Sequence, residues 1–529
     1  MRLKRTVAIA AAAGALAAIT VPAMAFESEF HGTSRLRYFL SNYEQGFGGN
    51  PLTPDANGLI SRTNLGGNAA DTEKLKTNNY FEQRTRIFYT AKASDDLKLV
   101  TGFEIDSVFG DRAQSQTTGT AGTPGTGTLG QAATGRNQGG ALESDTVNLE
   151  TKWVYLDFKI PSTPVAVKAG IQPIKDQLKG IFLDADVAGI MTTTKAGPAT
   201  MNVGYFRGYD QSYFSATKAA SSSRGMVNLD IGLLEAKLAL SKDINVGGVY
   251  YLYADGRGLS NLGATGAAGN IDTSSFMLHT LGLTADAKVG PLALSGFAAY
   301  QGGLYRNVTN AGLPPGTTIY SNALAFNAAA KIAVGPGTLK AAGLYTSGQG
   351  NLDRTHLTGW VGTSQSQNRA WSGGVGAAGT STYNESGMML LNRNAAAGTG
   401  TTDVALVYNT GNGTNPANMQ GLWLATMGYD ANITPKFYTN ANVGAAWVAR
   451  SNGLKPVDKA TSKQNASNFM GTEVNLEAGY KMYDNLTASL QAAYVILGGY
   501  YTGAANLTGA TVKDPENPYT VRTSLIFNF

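Results

Sequence analysis

The stretch Pro518-Tyr-Thr-Val-Arg-Thr-Ser-Leu-Ile-Phe-Asn-Phe529 alternates. Tyr519, Val521, Thr523, Leu525, Phe527 and Phe529 fall at odd positions; Thr520, Arg522, Ser524 and Asn528 fall at even ones, with Ile526 the exception. Successive side chains of a strand point to opposite faces, so one face here is apolar and the other polar. The run fits one tilted membrane strand of about 9–11 residues. The pattern recurs further back. Leu486, Ala488, Leu490, Ala492, Tyr494 and Ile496 oppose Asn485, Thr487, Ser489 and Gln491. Val474, Leu476, Ala478, Tyr480 and Met482 oppose Glu473, Asn475, Glu477 and Lys481. Phe437, Ala441, Val443, Ala445 and Trp447 oppose Lys436, Asn440 and Asn442. A soluble sandwich and a membrane barrel both alternate this way, so the rest of the chain must decide between them.

Composition narrows the choice. Of 529 residues only 15% are charged and 43% are hydrophobic, which is too little charge for a disordered chain. The 66 Gly have no three-residue period, which excludes collagen. Cys is absent, which excludes disulfide scaffolds, thiol enzymes, Cys-based metal or iron–sulfur sites and covalent c-type haem. The three His (His31, His279 and His356) lie far apart in sequence. Met1–Ala25 reads as a secretory signal: Arg2, Lys4 and Arg5, an Ala-rich apolar stretch from Val7 to Thr20, and Ala23-Met24-Ala25 as cleavage site, with Phe26 as the mature start. Removing those three basic residues leaves 38 basic against 36 acidic, a net of +2, so nothing argues for a nucleic-acid partner. Beyond the signal no run of 18 apolar residues occurs, which excludes a helical membrane protein. Only a closed barrel otherwise spans a bilayer.

Turn signals count the strands. Ser94-Asp95-Asp96, Pro161–Pro164, Gly197-Pro198, Lys242-Asp243, Gly290-Pro291, Gly335-Pro-Gly337, Asn432–Pro435 and Asp484-Asn485 are short turns. They alternate with nine longer segments: 44–78, 110–143, 172–188, 208–225, 256–272, 305–320, 349–418, 451–470 and 501–517. Eight turns and nine loops join 18 strands, with 16 to 20 as the range, and short turns on one side with long loops on the other is the outer-membrane arrangement. Residues 26–529 therefore read as a single all-β domain, a transmembrane antiparallel β-barrel with short periplasmic turns and long extracellular loops. Aromatics near strand ends, among them Trp153, Tyr155, Tyr250, Tyr251, Trp423, Tyr429, Trp447 and Tyr500, read mostly as interfacial girdles. Segment 349–418 is a long loop, a plug, or two more strands at Gly387–Leu391 and Val404–Tyr408.

So wide a barrel encloses water. Alternation turns Arg35, Arg37, Glu82, Arg84, Arg86, Glu104 and Asp106 inward from the first three strands, a basic wall flanked by acids. Segment 172–188 is more apolar than the loops around it. Leu178, Ile181, Phe182 and Leu183 gain burial if it folds into the lumen. Its charged residues Lys175, Asp176, Lys179, Asp184 and Asp186 then sit at a constriction, with Asp176, Asp184 and Asp186 facing the Arg wall across a transverse field. No cofactor, metal site or catalytic group is expected. Gly125-Thr-Gly-Thr-Leu-Gly130 matches G-x-G-x-x-G but lacks the flanking strand and helix.

The mature chain resembles the outer-membrane porins of Gram-negative bacteria, and more narrowly the large porins of metal-reducing deltaproteobacteria. The residues that carry this are Phe30-His-Gly-Thr-Ser-Arg-Leu-Arg37, Phe81-Glu-Gln-Arg-Thr-Arg86, Asp95–Asp106, the 170–190 segment and the closing strand with Tyr519, Leu525, Phe527 and terminal Phe529. The resemblance implies a diffusion channel for small hydrophilic solutes and ions in the outer membrane, not an enzyme. It implies a third loop lining the constriction, recognition of the last strand by the barrel-assembly machinery, contact with lipid and lipopolysaccharide, and often a homotrimer. A second reading makes the barrel a sheath for multihaem cytochromes, whose haems would come from partners because this chain has no C-x-x-C-H.

Overall fold

A computed structural model describes residues 27–43, 52, 59–60, 77–109, 149–210, 228–256, 275–308, 314–349, 355–362, 383, 385, 387–392, 420–450, 455–506 and 511–529. The signal segment 1–25, Val404–Tyr408 and the Gly125–Gly130 match lie outside the described residues.

Eighteen strands make the wall: β1 (Glu27–Ser41), β2 (Asn78–Ser94), β3 (Leu97–Val108), β4 (Glu150–Lys159), β5 (Val165–Lys175), β6 (Asp184–Ala196), β7 (Ala199–Asp210), β8 (Asn228–Ala239), β9 (Ile244–Asp255), β10 (Ser275–Val289), β11 (Leu292–Val308), β12 (Thr317–Val334), β13 (Gly337–Thr346), β14 (Leu422–Asn432), β15 (Phe437–Trp447), β16 (Phe469–Tyr483), β17 (Leu486–Leu497) and β18 (Tyr519–Asn528). Each pairs antiparallel with its neighbour in sequence, and β1 pairs with β18, so the sheet closes. The seam runs from Thr33↔Asn528 to Ser41↔Thr520 and is extended by a reciprocal backbone pair between Gly32 and Phe529 (2.8 and 3.0 Å). Closure satisfies every edge, the condition for a sheet in lipid. The eight short turns fall at the turn signals, and nine longer connections alternate with them, the third and sixth shorter than expected because strands extend into 172–188 and 305–320. His356–Leu357 lies parallel beside β12, and Val457–Asp458 pairs with Lys463–Gln464 in a small hairpin.

The two faces differ. Leu234, Leu281, Leu283, Phe326, Met427, Leu476 and Ile496 are among the bulky apolar residues exposed on the outer face. Glu235, Gln301, Glu473 and Gln491, at the opposite parity of their strands, are buried on the inner one. On β1 and β2 the buried Arg37 and Glu82 lie on the inner set, and Phe81 is exposed on the outer. The alternation read at the C-terminal strand holds too: Leu525 and Phe527 are exposed outward, Arg522 is buried inward, and Tyr519 near the seam bonds Thr77 through its hydroxyl (2.6 Å).

Some aromatics depart from the girdle expectation. Trp153 and Tyr155 belong to the inner set of β4, whose outer set is the exposed Val154 and Leu156. Tyr251 is fully buried and donates to Glu235 (2.7 Å). Tyr500 is buried against Tyr501 and Gln420. Sequence places an aromatic near a strand end, but parity within the strand decides whether it meets lipid, and here the inner positions need rings to pack against infolded segments.

Candidate functional site

The interior is organised by registers that run across strands. One inner row is Arg35↔Arg84↔Asp106; the next is Thr33↔Arg86↔Glu104; the next is His31↔Phe88↔Gly102↔Trp153. The side chain of Asp106 lies outside the described residues. Arg35 pairs with Glu82 at 2.9 Å, Arg84 with Glu104 at 3.6 Å, and Arg86 bonds the same Glu104 through Nε. Lys152 approaches Glu104 at 3.9 Å. Arg37 is buried, and Arg522 lies over the ring of Phe39 at 5.5 Å. Below the Arg86 row, His31, Phe88 and Trp153 stack in line, with centroids 5.2 and 4.8 Å apart. They meet because Gly102 has no side chain: a Cβ there would stand 2.9 Å from Trp153 and 3.1 Å from Phe88. Four strands thus present a basic wall above an aromatic strip.

Next to this wall, at β5 and β6, part of the sheet leaves the barrel. The β5–β6 ladder continues to Lys175↔Asp184, but β4–β5 pairing stops at Val154↔Ile171 and β6–β7 pairing stops at Ala188↔Arg207. Residues 172–187 are therefore a hairpin paired only with itself. The departure point is the cross-strand pair Gly170↔Gly189. Gly170 has φ +136°, and a Cβ on either glycine would come within 2.2 or 2.3 Å of the carbonyl oxygen of Val154 or Tyr205. Only glycine permits backbone so close at both positions.

The hairpin rests on the inner face of β8–β11. Gln177 N donates to Glu235 (3.3 Å) and to Tyr251 Oη (3.1 Å), and its side-chain amide donates to Glu235 (3.1 Å). Phe182 stacks on Tyr251 at 4.9 Å. Leu178, Ile181, Phe182 and Leu183 are all buried, and Lys179 reaches Ser295 at 3.5 Å. The expectation of a loop over 172–188 is corrected in its secondary structure: only 176–183 lie outside strands, and Lys175, Asp184 and Asp186 are strand residues. The turn is closed by Asp176, whose carboxylate accepts from the backbone N–H groups of Gly180 (2.8 Å), Phe182 (2.8 Å) and Leu183. Burial pushes its carboxyl up to about 6 against these three bonds, with the charge of Glu235 adding to the rise.

The acids of the hairpin divide. Asp186 faces the basic wall: it lies 3.0 Å from Lys152 and accepts from Trp153 Nε1 at 2.6 Å. Asp184 does not; it is held by Lys175 within the hairpin at 2.8 Å. Asp176 turns into its own loop. Of the three acids expected opposite the arginines, Asp186 meets the wall at Lys152 and Trp153 of β4 rather than at an arginine, and the other two turn elsewhere. The reason is local: Asp184 lies directly across the ladder from Lys175, and Asp176 sits at the turn where N–H groups converge.

A second segment also folds inward. Tyr383, Met388, Met389, Leu390 and Leu391 are buried. Glu473 of β16, fully buried, accepts the backbone N–H groups of Met389 (2.7 Å), Leu390 (2.9 Å) and Leu391 (2.6 Å). Asn475 donates to the carbonyl of Gly387 at 3.0 Å, and Asn327 of β12 reaches the Tyr383 hydroxyl. Gly387–Leu391 is thus not a wall strand but a plug segment packed on the inner face of β12 and β16. A third piece, residues 355–362, joins it: Val361 exchanges bonds with Gln301 (2.9 and 2.8 Å), and Trp360 donates to the carbonyl of Ile181 (3.2 Å). Beneath the plug a cavity of about 800 Å³ is lined by Lys331, Lys340, Glu385, Asp430, Tyr438 and Asn440.

Sequence reading missed Glu235, Glu473, Glu385, Lys152 and the Gly170–Gly189 pair. Glu473 was legible as an inner residue of its strand, but its partner segment was not. His279 bonds Tyr250 (2.8 Å) and His356 bonds Asn322 (2.6 Å), away from the inner wall.

No family model matches the chain, and no curated protein does. It is similar to the solved structures of OccAB1 from Acinetobacter baumannii (10% identity, 95% of this chain and 96% of that one, TM-score 0.46), of OpdK, an outer membrane protein from Pseudomonas aeruginosa (9%, 95% and 98%, 0.45), and of a BenF-like porin from Pseudomonas fluorescens Pf-5 (10%, 95% and 99%, 0.44). The sheath reading gains no support: segments of the chain itself occupy part of the interior it would reserve for a partner.

Proposed function

We propose that the protein is an outer-membrane porin, a multi-pass barrel that lets small hydrophilic solutes and ions diffuse passively. The observation that carries this is the closed 18-strand sheet with exposed apolar residues outside and a charged wall inside. An apolar outer band matches lipid, and a barrel of this girth leaves an aqueous lumen. The infolded hairpin narrows that lumen on the side of β8–β11 and leaves the passage along β1–β4. There the five cations Arg35, Arg37, Arg84, Arg86 and Lys152 outnumber the four acids Glu82, Glu104, Asp106 and Asp186. A narrow, weakly screened gap magnifies such a field, so the channel favours anions and orients dipolar solutes.

The same reading takes Tyr519, Leu525, Phe527 and Phe529 as the signal read by the assembly machinery, and lipid and lipopolysaccharide as the surroundings of the outer face. A homotrimer and the narrower kinship with porins of metal-reducing deltaproteobacteria rest on the 30–37, 81–86 and 95–106 motifs. The test is reconstitution of the protein lacking residues 1–25 into planar lipid bilayers. Stepwise conductance with an anion-favouring reversal potential in a salt gradient is expected; a sample that stays soluble without detergent, or membranes that stay silent, would refute the proposal.

A further inference from the structure

An ion pair joins the hairpin to the plug, beside the bond from Trp360 to the Ile181 carbonyl. Lys179 Nζ lies 2.8 Å from Glu385 Oε1, between residues 206 apart in sequence. The side chains are only 25% and 13% exposed, so the pair is partly desolvated. Lys179 adopts φ +63°, a left-handed conformation that costs a non-glycine residue about 1 kcal/mol or more, and Gly180 beside it has φ +83°. Glu385 Oε2 is buried and accepts no hydrogen bond among the described residues, so losing the lysine would remove the ion-pair partner this partly buried carboxylate has among them.

Each partner is anchored separately. The hairpin is fixed to β8 and β9 through Glu235 and Tyr251, and the plug to β16 through the three N–H groups on Glu473. Both anchors hold to the wall, so direct ties across the lumen are the Lys179–Glu385 pair and, among the described residues, the Trp360–Ile181 bond. We propose that Lys179 and Glu385 form a strut that ties the two segments into one span, and that this span sets the size of solute the channel passes. The inference rests on the porin reading and names the residues that determine its size selectivity.

The test compares Lys179→Glu, Glu385→Lys and the double exchange Lys179→Glu/Glu385→Lys in liposomes. It reads the ratio of swelling rates for a large and a small uncharged sugar, so that charge selectivity does not enter. Each single change is expected to raise the large-to-small ratio several-fold and the double exchange to bring it back near the wild-type value. Unchanged ratios in both singles, or singles that shift while a folded double exchange does not recover, would overturn the strut. Should the singles fail to fold, the cysteine-free chain permits a Lys179→Cys/Glu385→Cys pair. Bridging it with a short thiol-reactive cross-linker is expected to restore the wild-type ratio from a raised one, and a ratio unmoved by bridging counts against the strut. Wild-type protein that transports neither sugar and carries no current refutes the porin reading itself, whereas a conducting wild type with insensitive variants refutes only the strut.

Discussion

Asp176 is buried and still accepts three backbone hydrogen bonds, and these opposing influences leave its carboxyl near 6. A carboxyl whose value rises on folding supports the folded arrangement fully below its unfolded value, near 4, and that support is lost as pH climbs through about 6. The 176–183 turn is therefore expected to loosen as pH rises through this window, seen as growing open-channel noise in bilayer recordings. In Asp176→Asn the step should vanish, because the amide does not titrate. The basic wall gives a second expectation at this scale. Arg84→Gln with Arg86→Gln leaves Glu104 with Lys152 alone at 3.9 Å, so anion preference should fall several-fold, measured as a shift in reversal potential. The inward position of these arginines was legible because strand parity is a two-state choice. The partner of each acid was not: Asp184 and Asp186 are two residues apart on one strand face, and only the register with Lys175 and the reach of Lys152 separate their roles.

At the level of single elements, the decisive feature is the glycine pair at positions 170 and 189. A side chain at Gly170 would enter the space of the Val154 carbonyl, at a φ that β-branched residues do not adopt. Gly170→Val is expected to displace the 172–187 hairpin while sparing the wall, giving higher conductance from a folded barrel. Unchanged conductance in such a barrel would show that the hinge lies elsewhere. Gly102 is the counterpart on the other wall. Gly102→Val overfills the gap between Phe88 and Trp153 and should cost about 1–3 kcal/mol, read as a lower thermal midpoint in detergent. The inward fold of 172–188 could be anticipated from Leu178, Ile181, Phe182 and Leu183, which gain too much by burial to sit on a surface loop. That it would be a hairpin rather than a loop could not, since local alternation in 184–187 is short and the glycines that release it also occur throughout the chain.

For the molecule as a whole, closure dominates. The strand number followed from eight short turns and the nine longer segments between them, because turn residues such as Gly, Pro, Asp and Asn act locally and carry their mechanism with them. What lies inside did not follow, because plug and wall are joined by contacts such as Met389 to Glu473 across 84 residues. Phe529 completes the seam, with its backbone paired to Gly32 and its ring over the same residue. Deleting Phe529 should lower the yield of assembled barrel, scored by the change in gel mobility on heating, without altering conductance in the molecules that do assemble.

The seam has one more consequence. Thr33 and Asn528 lie 495 positions apart yet touch, so the two staves that seal the cylinder are separated by almost the whole wall. Until they meet, the sheet has two raw hydrogen-bonding rims and a greasy flank, which in water invite self-association. Loss of either stave would therefore yield no smaller channel, only a sticky ribbon fit for proteolysis.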